Sequence, residues 1–237
     1  MLSTVFFDLD GTLLPMDQDA FTKDYFKRLA GKLAPLGYEP ERLVKSVWAG
    51  TAAMVKNNGE RTNEEAFWQC FLGLYGESCR KDKPAFDEFY EKEFQGAKAS
   101  CGFNPQAAQT VEAMKAMGLR LVLATNPIFP AVATESRIRW AGLRPEDFLL
   151  YTTYENSRFC KPNPAYYQAL LDQLGLAAEE CLMVGNDAEE DTAAQETGMP
   201  VFLLTDCLIN RKGRDLSPYP QGGFSQLLEF VKASRQG

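Results

Sequence analysis

The feature that most restricts how this chain can fold is a change of periodicity near residue 105. Beyond it, short apolar runs at Leu119–Ala124, Phe148–Thr152, Cys181–Gly185 and Val201–Leu204 alternate with stretches of helical spacing. Strand and helix in turn predict a parallel sheet, because each crossover lays a helix over the sheet and both faces end up covered. The N-terminal run Thr4-Val5-Phe6-Phe7-Asp8-Leu9-Asp10 joins that sheet as its first strand. From about residue 17 to about 98 only the helical period is present, in stripes such as Phe21, Tyr25, Phe26 and Leu29, or Phe67, Trp68, Phe71 and Leu72. Gly37, Gly59 and Gly76 punctuate these stripes. The expected organisation is an α/β core of residues 1–16 and 99–237, interrupted by a helical block over 17–98. Arg211–Gly223, rich in Gly, Pro and charge, reads as a surface loop before a last helix at Phe224–Ala233.

Composition then excludes several chemistries. The chain has no histidine, which removes Ser-His-Asp and Cys-His catalysis, phosphohistidine intermediates and His-ligated zinc. A cysteine phosphatase needs an arginine six residues after its thiolate. The six cysteines are followed at that distance by Gly76, Ala85, Ala107, Tyr166, Asp187 and Gly213. They form no CxxC pair, and their apolar settings read as buried, reduced thiols. Neither a GxxxxGK nor a GxGxxG fingerprint occurs. A net charge of -7 without a basic run repels nucleic acid, and the N-terminus has neither a signal-peptide pattern nor a membrane span. The sequence therefore reads as a cytoplasmic protein, monomeric or homodimeric, with no nucleic-acid or membrane partner.

Parallel sheets bind ligands at the carboxyl ends of their strands. Here those ends carry Asp8-Leu9-Asp10-Gly11-Thr12, Ala124-Thr125-Asn126 and Gly185-Asn186-Asp187, with Asp191 a turn further and Lys161-Pro162 just before a helix. If the backbone stays extended, Asp8 and Asp10 point to one side. Gly11 then permits a sharp turn. Like charges this close call for a cation, and Asp187 supplies a third carboxylate from another strand end. Hard oxygen ligands suit Mg2+, with a phosphate completing the shell. Any one of these acids taken singly reads better as a helix or loop cap on the surface, and it is the set of four at two strand ends, with Thr and Lys beside them, that points to a site. The Lys56, Asn57, Asn58 and Arg61 cluster reads as a solvated turn, and Trp48, Phe67 and Trp68 as helix packing rather than a substrate box.

The ordered set Asp8-x-Asp10-Gly11-Thr12, a strand ending in Thr125, Lys161-Pro162 and Gly185-Asn186-Asp187-x3-Asp191 resembles the haloacid dehalogenase superfamily over nearly the whole chain. The resemblance implies a Rossmann-like parallel sheet with helices on both faces, plus an all-helical cap domain of the C1 type inserted after the first strand. It further implies a Mg2+-dependent phosphatase acting on a small phosphorylated metabolite through an aspartyl-phosphate. Asp8 would be the nucleophile and Asp10 the acid and base. Thr125, Asn126 and Lys161 would hold the phosphate, and Asp8, Asp10 and Asp187 the metal. A departure is Asn186, which stands where the fourth motif often has its first acid. The acid at Asp10 excludes the dehalogenases of the family, which lack it. A phosphomutase on the same scaffold, or a non-catalytic binding protein, fits the same residues.

Overall fold

The computed structural model describes residues 1–235. Its centre is a six-stranded, wholly parallel sheet: β1 (Thr4–Phe7), β2 (Arg120–Leu123), β3 (Leu150–Tyr151), β4 (Cys181–Gly185), β5 (Val201–Leu204) and β6 (Gln221–Gly222). The spatial order is β3-β2-β1-β4-β5-β6, the doubly wound arrangement. All four residues of β1 are buried. Val5 and Phe7 face one core layer, while Phe6 faces the other with Tyr166 and Tyr167. Alternate side chains of a central strand thus enter opposite layers, which is why its sequence is apolar throughout. Each such side chain contributes about 1.5–3 kcal/mol of burial.

Between β1 and β2 the chain makes five helices: α1 (Gln18–Leu33), α2 (Pro40–Val55), α3 (Asn63–Tyr75), α4 (Lys83–Glu91) and, against the sheet, α5 (Pro105–Ala116). Helix α6 (Ala131–Trp140) follows β2, α7 (Pro164–Leu174) follows β3, and α8 (Phe224–Ser234) ends the described chain. The first four form the all-helical cap, joined by edge-on and stacked rings such as Phe71 against Phe86 (centroids 5.4 Å apart) and Tyr25 against Phe89 (5.8 Å). Thr62 starts α3 with a full capping box, accepting from the Glu65 N–H while the Glu65 carboxylate accepts from its own N–H. The Asn63 amide then donates to the carbonyls of Pro127 and Phe159 at 3.2 and 3.3 Å, so the start of α3 is tied to loops at the top of the sheet.

Three details differ from the sequence reading. The run Phe148–Thr152 yields only two paired residues, because β3 is an edge strand whose one neighbour, Val122–Leu123, meets it over that length. Between β4 and β5 stands a six-residue 3-10 helix, Thr192–Thr197, stopped by Gly198 at φ 90°. The expected loop at 211–223 contains β6, held to Leu203 and Leu204 by backbone pairing alone and therefore invisible to an apolar pattern. All six cysteines are free among the described residues, but only Cys160 and Cys181 are buried, with Cys70, Cys79, Cys101 and Cys207 half-buried.

Candidate active site

In this strand order β1 and β4 lie side by side at the point where successive connections depart to opposite edges, leaving a crevice at their carboxyl ends. Asp8 follows β1 directly, its N–H donating to the Val184 carbonyl at 2.9 Å. The chain turns immediately afterwards: the N–H groups of Thr12 and Leu14 both return to the Leu9 carbonyl. The turn thus begins at Leu9, and the two carboxylates line one cavity while taking different cations, Lys161 for Asp8 and Arg137 for Asp10. Gly11 sits at φ 88°, and a side chain there would collide with the Asn186 amide. Thr12 uses its hydroxyl to bridge the strand ends, donating to Asn186 Oδ1 at 2.8 Å and to Asp8 Oδ2 at 3.3 Å.

Lys161 is the buried centre of the floor. Its side chain is 0% exposed and its ammonium donates to Asp8 Oδ1 at 3.0 Å and Asp191 Oδ1 at 2.7 Å. Burial alone would lower its pKa, but the two carboxylates outweigh that and hold it well above the usual lysine value. Asp191 is held in turn by the N–H groups of Asn186 (2.9 Å) and Asp187 (2.8 Å), and it lies where a side chain on Gly185 would be. The glycine and the second acid of the fourth motif thus serve the lysine. Burial pushes the Asp8 carboxyl up to about 7 against the pull of Lys161, with Asp191 and Asp10 adding to the rise.

Asp10 pairs through Oδ2 with Arg137 of α6, a guanidinium that is 0% exposed and stacked 4.5 Å over the Phe129 ring. Burial raises the Asp10 pKa, with Arg137 and Lys161 opposing. Its Oδ1 is buried and finds no hydrogen-bond partner among the described residues. Thr125 and Asn126, at the end of β2, line the same cavity as Asp8, Asp10 and Asp187. The Thr125 carbonyl is fixed by the hydroxyls of Thr152 (2.6 Å) and Tyr166 (2.9 Å), and the Asn126 amide donates to Glu190 at 3.0 Å. Burial lifts the Glu190 carboxyl to about 8. Asp187 Oδ1 accepts from the N–H groups of Glu189 and Glu190, so one of its oxygens caps its own turn.

The structure therefore brings Asp8, Asp10, Thr125, Asn126 and Asp187 to one cavity with Lys161 beneath it. Among the described residues it gathers no three acids tightly enough to form a ready-made metal cluster. The donor set fits Mg2+ nonetheless: hard carboxylate oxygens, an Asp8 carboxyl whose burial disfavours a charge that a nearby cation would offset, and a buried Asp10 Oδ1 without a hydrogen-bond partner among the described residues. Sequence reasoning missed Arg137, Glu190 and the clamp by Asp191. Arg137 lies outside every motif, in the helix after Thr125, and no spacing rule points to it. The Lys56–Arg61 turn does not line this cavity but borders a separate shallow groove. Trp48, Phe67 and Trp68, expected only to pack helices, do line the cavity.

A parallel α/β sheet with a helical cap after its first strand, and an acid pair, a buried lysine and a further acid loop at the strand ends, defines a capped hydrolase of the phosphoryl-transfer kind. Residues 2–198 match the haloacid dehalogenase-like hydrolases, and the chain belongs to that family, in its phosphatase branch. It is 30% identical over 202 residues to a phosphoglycolate phosphatase of Yersinia pseudotuberculosis, covering 85% of this chain and 80% of the relative. It is 27% identical over 220 residues to a phosphoglycolate phosphatase of Rhodospirillum rubrum, covering 86% and 80%. Among solved structures, a 2-haloacid dehalogenase from Pseudomonas syringae pv. Tomato DC3000 shares the fold at a TM-score of 0.65 and 22% identity, over 98% and 99% of the two chains. No helix among the described residues is long and apolar enough to cross a membrane.

Proposed function

We propose that the protein is a cytoplasmic, Mg2+-dependent phosphatase, monomeric or homodimeric, that hydrolyses a small phosphorylated metabolite through phosphorylation of Asp8. The observation that carries this reading is the buried Asp8–Lys161–Asp191 array at the floor of a capped cavity. A lysine fixed by two acids in a dry site neutralises a transferring phosphoryl group without having to reorganise. Asp8 attacks phosphorus through a carboxylate oxygen, and the bond from phosphorus to the leaving oxygen breaks. Asp10 gives its proton to that oxygen; its burial favours the protonated form that this step needs. A water then attacks the aspartyl-phosphate, passing its proton to Asp10, and the bond between phosphorus and Asp8 breaks to release inorganic phosphate. Thr125 and Asn126 hydrogen-bond the phosphoryl oxygens. Asp8, Asp10 and Asp187 would hold Mg2+, which when bound supplies charge neutralisation on the phosphoryl group. The cap is assigned to residues 17–98 and the core to 1–16 and 99–237, of which 236 and 237 lie outside the described residues.

The deciding experiment is phosphate release from phosphomonoesters, with Mg2+, with a chelator, and in Asp8→Asn. Turnover that needs both Mg2+ and Asp8 is expected. Equal rates in wild type and Asp8→Asn would overturn the proposal.

A further inference from the structure

The cavity that runs from Asp8 into the cap has a volume of about 230 Å³, and its walls have a definite chemistry. Beyond the catalytic floor they are mainly aromatic, with Phe21, Tyr25, Trp48, Phe67, Trp68 and Phe129 among the lining groups. Polar wall groups without a side-chain partner among the described residues are few, chiefly Gln18, Thr22 and Thr51, since the Tyr25 and Tyr90 hydroxyls bond each other at 2.9 Å. Among the described residues, no lysine or arginine lines it. Several of the cap's basic side chains are engaged elsewhere: Arg28 on Asp24, Lys32 on Glu88 and Glu93, Arg42 on the Leu74 carbonyl and the Tyr75 ring. Lys83 stands behind the wall on Asp87 and Glu64. The two buried cations near the floor are already committed, Lys161 to Asp8 and Asp191, and Arg137 to Asp10.

A leaving group bearing a carboxylate, a second phosphate or several hydroxyls would have to desolvate against rings, and the cap-wall carboxylate Asp87 already holds Lys83 at 3.0 Å, so that cation is not free to pair it. An apolar ring gains what such a group loses. The entrance agrees with the interior, since Trp48 is 51% exposed and packs at 5.5 Å on Phe26, another wall residue. Large rings held at the mouth of a cleft suit an apolar visitor.

We infer that the substrate is the phosphate monoester of an uncharged, apolar and preferably aromatic alcohol, and that phosphoglycolate, the compound in the names of the relatives, is not the preferred substrate. This rests on the phosphatase reading and assigns the substrate class of that same site. Thr51, half-buried on α2 and bonded only to the Val47 carbonyl, is the wall position at which a charge can be introduced.

The test compares kcat/KM of the full chain with Mg2+ for acetyl phosphate, benzyl phosphate and 2-phosphoglycolate, in wild type, Asp8→Asn and Thr51→Lys. Acetyl phosphate reports phosphoryl transfer without a group that reaches the cap. Benzyl phosphate should exceed 2-phosphoglycolate by about tenfold to hundredfold, the range that burying one aromatic ring provides. Thr51→Lys should narrow or reverse that ratio. A parallel titration of wild-type tryptophan fluorescence should respond to benzyl alcohol and not to glycolate. Asp8-dependent acetyl phosphate turnover, with 2-phosphoglycolate equal to or better than benzyl phosphate, would overturn the substrate class and leave the phosphatase reading standing. A folded protein that turns over none of the three would overturn both.

Discussion

The pairing of Asp10 with Arg137 is the residue-level feature with the clearest energetic consequence. Arg137 is wholly buried, and its guanidinium is held by Asp10, the Phe129 ring and the Ala133 carbonyl (3.4 Å). Removing one partner of such a pair leaves the other charged and dry. Arg137→Met should therefore cost about 3–5 kcal/mol of stability by urea unfolding, whereas adding Asp10→Asn to it should restore part of the loss. Additive single effects would show that the two side chains act independently. Gly11 is a second sensitive point, since its φ of 88° and its contact with Asn186 both exclude a side chain. Gly11→Ala should destabilise by more than about 1 kcal/mol and lower phosphate release, because the Thr12–Asn186 bridge must move with it. The motif residues announced this floor: Asp8 at the end of β1 and Lys161 just before α7 meet at 3.0 Å. What the sequence concealed are partners chosen by packing. Arg137 is one of two arginines on α6, and only the folded distance to Asp10 distinguishes it from Arg139, an exposed charge paired with Glu135.

At the scale of elements, the connection from α6 to β3 depends on one acid. Asp147 closes the turn at Pro145–Asp147 by accepting from the Arg144 N–H at 2.8 Å, and it also takes Lys115 of α5 at 2.7 Å and the Arg144 guanidinium at 3.2 Å. Burial alone would raise its pKa, but Lys115 and Arg144 outweigh that and hold it below the ordinary 3.8. A carboxylate depressed in the folded state stabilises above its unfolded pKa and loses that contribution as pH falls through the folded value. Asp147→Asn should thus lower stability by about 1–2 kcal/mol at pH 7 and shrink the further loss on acidification below about pH 4, followed by urea unfolding at each pH. Elements were legible where side chains create them. The strands β1, β4 and β5 are continuous apolar runs, and α1 to α4 carry helical stripes. Strand β6 was not legible, because Gln221 and Gly222 join the sheet through backbone groups that any residue possesses.

For the whole molecule, the question is how a floor built by the sheet and a wall built by the cap come to enclose one volume. Asn63 supplies part of the answer, since its amide spans from α3 to the loops carrying Pro127 and Phe159, while the N–H groups of Asn63 and Glu64 donate to the carbonyls of Ser157 and Tyr154. Closing the walls over Asp8 removes water from the charges, which strengthens Lys161 and gives the apolar rings a role that helical spacing could not reveal. A ligand that satisfies both the acids below and the groups proposed to bind phosphate beside them should bind only the folded chain and stabilise it globally. With Mg2+ present and inorganic phosphate at about 100 times its dissociation constant, phosphate linkage gives about 2.7 kcal/mol. For a chain of this size that corresponds to a rise of about 5–11 °C in Tm. Chelation should abolish the rise, and Asp8→Asn should reduce it, in a thermal melt that needs no turnover. A rise of the same size with phosphate alone would place the stabilisation on Lys161 and its neighbours and would remove the metal from the site.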